Sequence, residues 1–220
     1  MTFALAGIDP QTGHIGFAVA TSSVCVGARC GRIGAGCVVF SQARTDPRLH
    51  NHGLRAFAAG GDALAAMQDA ATSLHWRQLG VLSADGAHHF TGASCLPHCG
   101  GVTGAHSLAL GNYLASADVL PAMIAGFTAA TGPLTQRLMA GMLAGQAAGG
   151  EIDPLQSSAL CVMGADDLVE ADLRVDRSAD PLADLGALLA DWAPKEPAYR
   201  LRAIDPDAAP PSSEVEGHHI

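Results

Sequence analysis

A threonine stands second in this chain, directly behind Met1, and an apolar run from Phe3 to Ile8 follows it at once. Chain ends fray unless something ties them down, so a buried strand at the terminus asks for a reason. One reason is packing, because a β-branched residue suits a strand. The other is chemistry, with the Thr2 hydroxyl held beside a chain end. Other reactive types follow. Cys95 and His98 lie close together in FTGASCLPHCGGVTG, a thiol with a nearby base or a buried structural cysteine. Cys95, His98 and Cys99, with His50, His52, His88 or His89, are zinc-binding types, but the paired CxxC…CxxC signature is absent. His88 and His89 share a strand and point to opposite faces, so at most one of them joins a cluster. Gln42 ends an apolar strand; if buried it must find a partner, or it faces a pocket. Asn112, after LALG, is a candidate oxyanion or substrate donor, or a helix cap. Arg77 enters a strand and can pair with a carboxylate at a rim.

These residues need elements to position them. Residues 3–9 and 14–21 read as a β-hairpin broken at Asp9-Pro10-Gln11-Thr12-Gly13. GCVVFSQA reads as a third strand, and RTDPRLHNHG as a polar loop. GDALAAMQDAATSL reads as a helix with Asp62 as N-cap. Gln78 to Leu82 and Ala87 to Thr91 form a second hairpin, turned at Ala84-Asp85-Gly86. AHSLALGN is a short strand. Two helices follow, one near Ser116 and one opened by Pro133, joined by the short Thr131-Gly132 junction and therefore antiparallel. SSALCVMG and LVEADLRV read as strands, and DPLADLGALLADW as a helix capped by Asp180. Strands joined mainly through hairpins favour antiparallel sheets in a layered α+β fold. After Trp192 the prolines at 194, 197, 206, 210 and 211 mark a tail with little to bury. The organisation expected is one domain over residues 1–192 and a Pro-rich C-terminal tail over 193–220, extended or disordered.

Composition narrows the function. At 220 residues with 49% apolar and 15% charged, the chain has material for a real core. The formal charge is −9 and no basic run occurs, which argues against a nucleic-acid partner. The apolar stretches are short and broken by Gly, so none is a membrane span. No basic n-region precedes a long apolar segment, which makes the cytoplasm the expected location. The six cysteines are then expected as small buried hydrophobes rather than disulfides. A small-molecule substrate is the expected partner, and apolar faces on Ala/Gly-rich helices are compatible with a homo-oligomer.

Eight blocks in order carry a family resemblance: MTFALAGIDPQTGHIGFAVATSS, AGCVVFSQARTDP, RQLGVLSADG, FTGASCLP, LALGN, GPLTQRLMAGMLAGQAAGG, QSSAL and DLRVDRSADPLADL. Together they resemble the domain of unknown function 1028 family, over about residues 1–192. The resemblance implies the four-layer αββα sandwich of the N-terminal-nucleophile hydrolases, two antiparallel sheets face to face with helices outside. In that superfamily the first residue of the mature chain attacks a carbonyl through its side chain, and its own α-amine takes the proton. Thr2 fills that role once Met1 is removed, and an amine with an ordinary pKa of about 8 is a usable base.

The resemblance also exposes departures. Where many superfamily members carry an acidic residue after the second strand, this chain has Thr21-Ser22-Ser23; where they carry a lysine, it has Arg29, Arg32 and Gly34. Ser22 and Ser23 can hydrogen-bond the amine, or close the strand as a Ser-rich turn. The family's Cys-Pro-Trp-Ala-Gly-His is altered here, with His98 in the aromatic's place and Gly101 where the His is expected. The family's Asp-Arg-Arg-Gly before Gln-Ser is replaced by Glu151-Ile152-Asp153-Pro154-Leu155. If those arginines bind an anion, this chain takes a different substrate or none. The reading is an amide hydrolase acting on a small polar metabolite, with a non-catalytic ligand-binding or structural member of the same fold as its rival. The catalytic set is Thr2, Ser22, Ser23 and Asn112. The substrate-binding set is Gln42, Arg77, Gln78, Cys95, His98 and Thr103. No metal and no cofactor is expected.

Overall fold

The computed structural model describes residues 1–217. The chain runs β1 (Thr2–Ile8), β2 (Ile15–Thr21), β3 (Gly31–Gly34) and β4 (Cys37–Ala43), then α1 (Arg48–Ala58) and α2 (Ala63–Ala70). Four strands follow: β5 (Arg77–Ser83), β6 (Gly86–Thr91), β7 (Gly100–Gly104) and β8 (Ser107–Asn112). Then come α3 (Val119–Ala129), α4 (Leu134–Ala147), β9 (Ser157–Met163), β10 (Val169–Val175) and α5 (Pro181–Trp192). Two further helices, α6 (Glu196–Ile204) and α7 (Ser212–Glu216), complete the described chain.

The strands form two antiparallel sheets, one in the order β10-β9-β2-β1-β8-β7 and one in the order β3-β4-β5-β6. Three apolar clusters fill the spaces between four layers. Phe3, Leu5, Ala18 and Leu160 meet Met123, Phe127, Leu138 and Leu185 of α3, α4 and α5. Ala4, Phe17, Val19, Leu108 and Leu110 of the larger sheet meet Val38, Phe40 and Leu82 of the smaller one. Val39, Leu79 and Val81 meet Leu49 of α1 and Met67 of α2. The stack is therefore α, β, β, α, the architecture that the family resemblance implies. Side chains alternate across a strand, so the continuous apolar runs of β1, β2 and β4 are what strands buried on both faces require. Gly80 lets the sheets close on one another, since a Cβ there would lie 2.1 Å from Leu110 Cδ1. On the other side, a Cβ at Gly141 of α4 would lie 2.3 Å from Leu5 Cδ2.

The caps at Asp62 and Asp180 are formed, each carboxylate accepting the N–H three residues on, Ala65 at 3.0 Å and Ala183 at 3.2 Å. Two expectations are corrected. The expected loop RTDPRLHNHG contains the start of α1, which buries Leu49, His50 and Gly53, half-buries Leu54 and Phe57 against the same apolar cluster, and exposes Arg48, Asn51, His52 and Arg55. Asp46 opens it by accepting the Arg48 N–H at 3.1 Å. The Gly-rich stretches at 31–34 and 100–104 are short edge strands. The tail expected to be extended is helical over α6 and α7. Pro197 falls in the first turn of α6, where a missing N–H costs nothing. Trp192 and Tyr199 stack at 5.3 Å, and Lys195 pairs with Glu216 at 3.0 Å. Residues 218–220 of that expected tail lie outside the described residues. All six cysteines are free; Cys30 and Cys37 are buried, whereas Cys25 and Cys99 are exposed. Among the described residues no helix is long and apolar enough to cross a membrane.

Candidate active site

One end of the space between the sheets is polar, and strand periodicity makes it so. Ala4 and Ala6 of β1, Leu108 and Leu110 of β8, Phe17 and Val19 of β2, and Ala159 of β9 face the second sheet. A two-residue period carries that facing to Thr2, Asn112, Thr21 and Ser157 at the same end of each strand. Register aligns them in one row: Thr2 opposes Asn112, Thr21 opposes Ser157, and the Phe3–Ala20 pairing sets Thr2 beside Thr21. The smaller sheet presents a facing row, Gln42 opposite Gln78 and Gln78 opposite Thr91. All of these except Thr91 are buried.

Hydrogen bonds knit much of this end. Gln78 Nε2 donates to the carbonyls of Gly111 at 2.8 Å and Gly100 at 3.1 Å, and to Thr91 Oγ1 at 3.1 Å. Asn112 Nδ2 donates to Gln78 Oε1 at 3.0 Å, so the two rows are joined. Ser157 Oγ donates to the Ser23 carbonyl at 2.6 Å and accepts from the Val26 N–H at 3.0 Å, fixing the loop after β2. Gln42 is the exception. It is 0% exposed, and neither Nε2 nor Oε1 has a partner.

Met1 sits between two openings. A hollow of about 220 Å³ is lined by Met1, Asn112, Arg44, Trp76, Cys95 and Leu96. A more open cleft of about 920 Å³ is lined by Met1, Ser22, Asp153, Gln156 and Arg177 among others. The Met1 carbonyl accepts hydrogen bonds from the hydroxyls of both Thr2 and Thr21. Glu151, next to Leu114 in an isolated bridge, is buried and accepts from the Ser22 N–H at 3.0 Å and from the Ser22 hydroxyl. Burial raises its carboxyl above the ordinary value, while the Ser22 bonds and then the terminal ammonium of Met1 pull it back. Cys30 lies within hydrogen-bonding reach of the Thr2 and Thr45 hydroxyls, and burial pushes its thiol up to about 11. At neutral pH it is an S–H group, not a base.

The structure therefore brings together Thr2, Ser22, Asn112, Gln42, Gln78 and Cys95 of the residues singled out in the sequence. Ser23 is exposed and contributes its carbonyl to Ser157. Arg77 does not face the hollow; its guanidinium bonds the carbonyls of Arg44 and of Thr72, the latter at 3.2 Å. Cys95 donates to the Arg77 carbonyl at 3.6 Å, and burial raises its thiol, the opposite of activation. His98 is exposed in a left-handed turn with φ +50, and its carbonyl accepts from the Leu114 N–H. Thr103 is exposed and opposes Leu108, well along β7 from the polar end. Among the described residues no three His, Cys, Asp or Glu side chains gather as a metal-binding group. Thr21, Cys30 and Glu151 were not singled out as site residues. Thr21 had a signal, being the terminal inward position of β2; the other two reach the site only through loops.

A model described as "Family of unknown function (DUF1028)" matches residues 2–185. Protein SPO2555 from Silicibacter pomeroyi, whose crystal structure is assigned to the same family model, is 32% identical. That similarity covers 86% of this chain and 88% of the other, with a TM-score of 0.79. Eukaryotic HslV from Trypanosoma brucei overlays at a TM-score of 0.47 and 13% identity, over 74% of this chain and 99% of that one. No curated protein matches the chain.

Proposed function

The chain belongs to DUF1028, a family of unknown function, and from that premise we propose that it is an N-terminal-nucleophile amide hydrolase with Thr2 as its nucleophile. The observation that carries this reading is the position of Thr2. Its side chain faces the space between the stacked sheets, and Met1 alone of its sequence neighbours lines both openings. Removing Met1 takes away a residue that lines both the hollow and the cleft, and it frees the Thr2 amine. The Thr2 Oγ then bonds to the acyl carbon of the substrate while its proton passes to the Thr2 amine. The amine returns that proton to the leaving nitrogen as the C–N bond breaks. Water next splits the ester, releasing a carboxylic acid and restoring the threonine hydroxyl. Asn112, opposite Thr2 and fixed by Gln78, is the side-chain amide nearest in register to the developing oxyanion. Ser22 and Gln42 bind substrate on either side, one in the cleft and one on the facing sheet. The substrate is a small polar metabolite, the setting is cytoplasmic, and copies associate through the outer helices, where Leu143 and Leu188 are exposed.

The test has two parts. Intact mass establishes whether Met1 is removed from protein purified in active form. A β-lactone electrophile, followed by peptide mapping, then labels Thr2. Retained Met1 or labelling confined to Cys95 overturns the assignment.

One observation favours a non-catalytic, ligand-binding role for the same cleft. The only lysine in the chain, Lys195, is paired with Asp191 and Glu216 in the C-terminal region. The Thr2 hydroxyl has the neutral Cys30 thiol beside it instead. A Met1-free protein that resists the lactone yet holds a metabolite supports this second role.

A further inference from the structure

Met1 displays how an aminoacyl unit lies against Thr2. Its carbonyl oxygen accepts from Thr21 Oγ1 and Thr2 Oγ1, so the carbonyl is held by hydroxyls of adjacent strands. Its residue lines the hollow walled by Trp76, Cys95 and Leu96, and equally the cleft that holds Ser22 and Asp153. Its ammonium is a positive charge felt by Glu151.

Glu151 lacks an ordinary counter-charge. It is 7% exposed, its hydrogen bonds come from Ser22, and among the described residues no Arg or Lys forms an ion pair with it. A carboxylate that is buried without a cation is costly unless something positive visits it. In the polar row of the smaller sheet, opposite Gln78, Gln42 offers an unpaired donor and an unpaired acceptor on a fully buried side chain. That is the complement of an amide group, which carries one of each.

We propose that the cleft takes amides whose acyl part bears a free α-ammonium, with Glu151 as the ammonium's counter-charge and the Thr21 hydroxyl as donor to the scissile carbonyl. The apolar hollow accepts a side chain of about methionine's size. This rests on the reading of Thr2 as nucleophile, and it names the substrate class: aminoacyl amides. Hydrolysis follows the balanced steps given above, with water as co-substrate, releasing a free amino acid and an amine.

The experiment uses full-length protein freed of Met1, verified by mass, with methioninamide and N-acetylmethioninamide as probes in calorimetry. Methioninamide is expected to bind at least tenfold more tightly, and Glu151→Gln to bring the two to parity. Equal binding in the wild type, or no binding of either, overturns the proposal, and this comparison does not depend on the variant folding. Equal weakening of both probes in Glu151→Gln also overturns it, because Glu151 then serves the Thr2 amine rather than a ligand. The β-lactone reaction separates the two readings. A methioninamide preference without labelling at Thr2 leaves the ammonium site and removes the nucleophile. Labelling without that preference does the reverse. Turnover of methionine 4-nitroanilide against its N-acetyl form repeats the comparison kinetically.

Discussion

Asn112 Nδ2 donates to Gln78 Oε1 across 3.0 Å, and this bond links β8 of one sheet to β5 of the other at the polar end of the sandwich. Gln78 spends its own Nε2 on Gly111, Gly100 and Thr91, so it is saturated. Replacing Gln78 with Leu removes the side-chain bonds to the Gly111 and Gly100 carbonyls and to Thr91, and takes from Asn112 Nδ2 its one hydrogen bond among the described residues. Each buried unsatisfied group costs about 1–3 kcal/mol, and Gln78→Leu is expected to lose about 3–5 kcal/mol in urea unfolding. An unchanged midpoint contradicts this account of the joint.

Gln42 is the opposite case. Its side chain is buried and unpaired in the unliganded protein. Gln42→Leu is expected to raise stability by about 1 kcal/mol or more, because a similar volume is kept and an unpaired amide is removed. The same variant is expected to bind methioninamide at least fivefold more weakly. A less stable variant with unaltered binding assigns Gln42 to packing.

His50 sets an acid limit. It is buried on α1, its Nε2 has no partner, and burial lowers it to about 4. Arg32 acts in the same direction, while the Cys30 backbone and Asp46 oppose it. A base with a lowered value in the folded state binds fewer protons than the unfolded chain. Its contribution is complete above the reference value of 6.5 and is lost as pH falls from there to about 4. The loss is on the order of 3 kcal/mol. Melting curves from pH 7 to 4 are expected to slope less steeply in His50→Gln.

Glu151 has the reverse sign. Burial raises its carboxyl above the reference 4.5, so the folded state favours the protonated form. That contribution is present below the reference value and is lost as pH rises through the raised one. Glu151→Gln keeps an acceptor for Ser22 and has no charge to bury. Its melting temperature is expected to gain on the wild type between pH 4 and pH 8, and a constant difference rejects the argument.

Thr2→Ala is expected to abolish β-lactone labelling and to reduce hydrolysis by a factor of about 10³ or more, the usual scale for loss of a nucleophile. Thr2→Ser retains both the hydroxyl and the amine and keeps measurable turnover. Thr21→Val removes one donor to the carbonyl, with an expected loss of about tenfold or more in kcat/KM.

Much of the fold was legible because local rules agree with it. Phe3–Ile8 and Ile15–Ala20 are apolar on both faces, so a central hairpin follows from period and turn. Asp62 and Asp180 stand where helix caps must. α1 was hidden because its first half is crowded with Arg48, His50, Asn51 and His52, of which only His50 is buried, while its apolar Leu54 and Phe57 come late and are only half-covered. The short edge strands β3 and β7 were hidden by glycine, which reads locally as a turn. The tail helices depend on contacts such as Trp192 with Tyr199, which no local signal announces.

The candidate site divides along the same line. Thr2, Thr21, Asn112, Gln42 and Gln78 are polar ends of apolar strands, and alternation alone sets which face each one occupies. The sequence by itself determined those positions and the antiparallel, layered class. Only the tertiary structure decided that the two polar ends meet, that Glu151 arrives beside Ser22 and Cys30 beside Thr2, and that Arg77 turns away to hold backbone carbonyls. Facing along a strand is a local property of the pleat. Which rows confront one another depends on how two sheets stack, and that is fixed by side chains far apart in sequence closing one common core, as Gly80 does against Leu110.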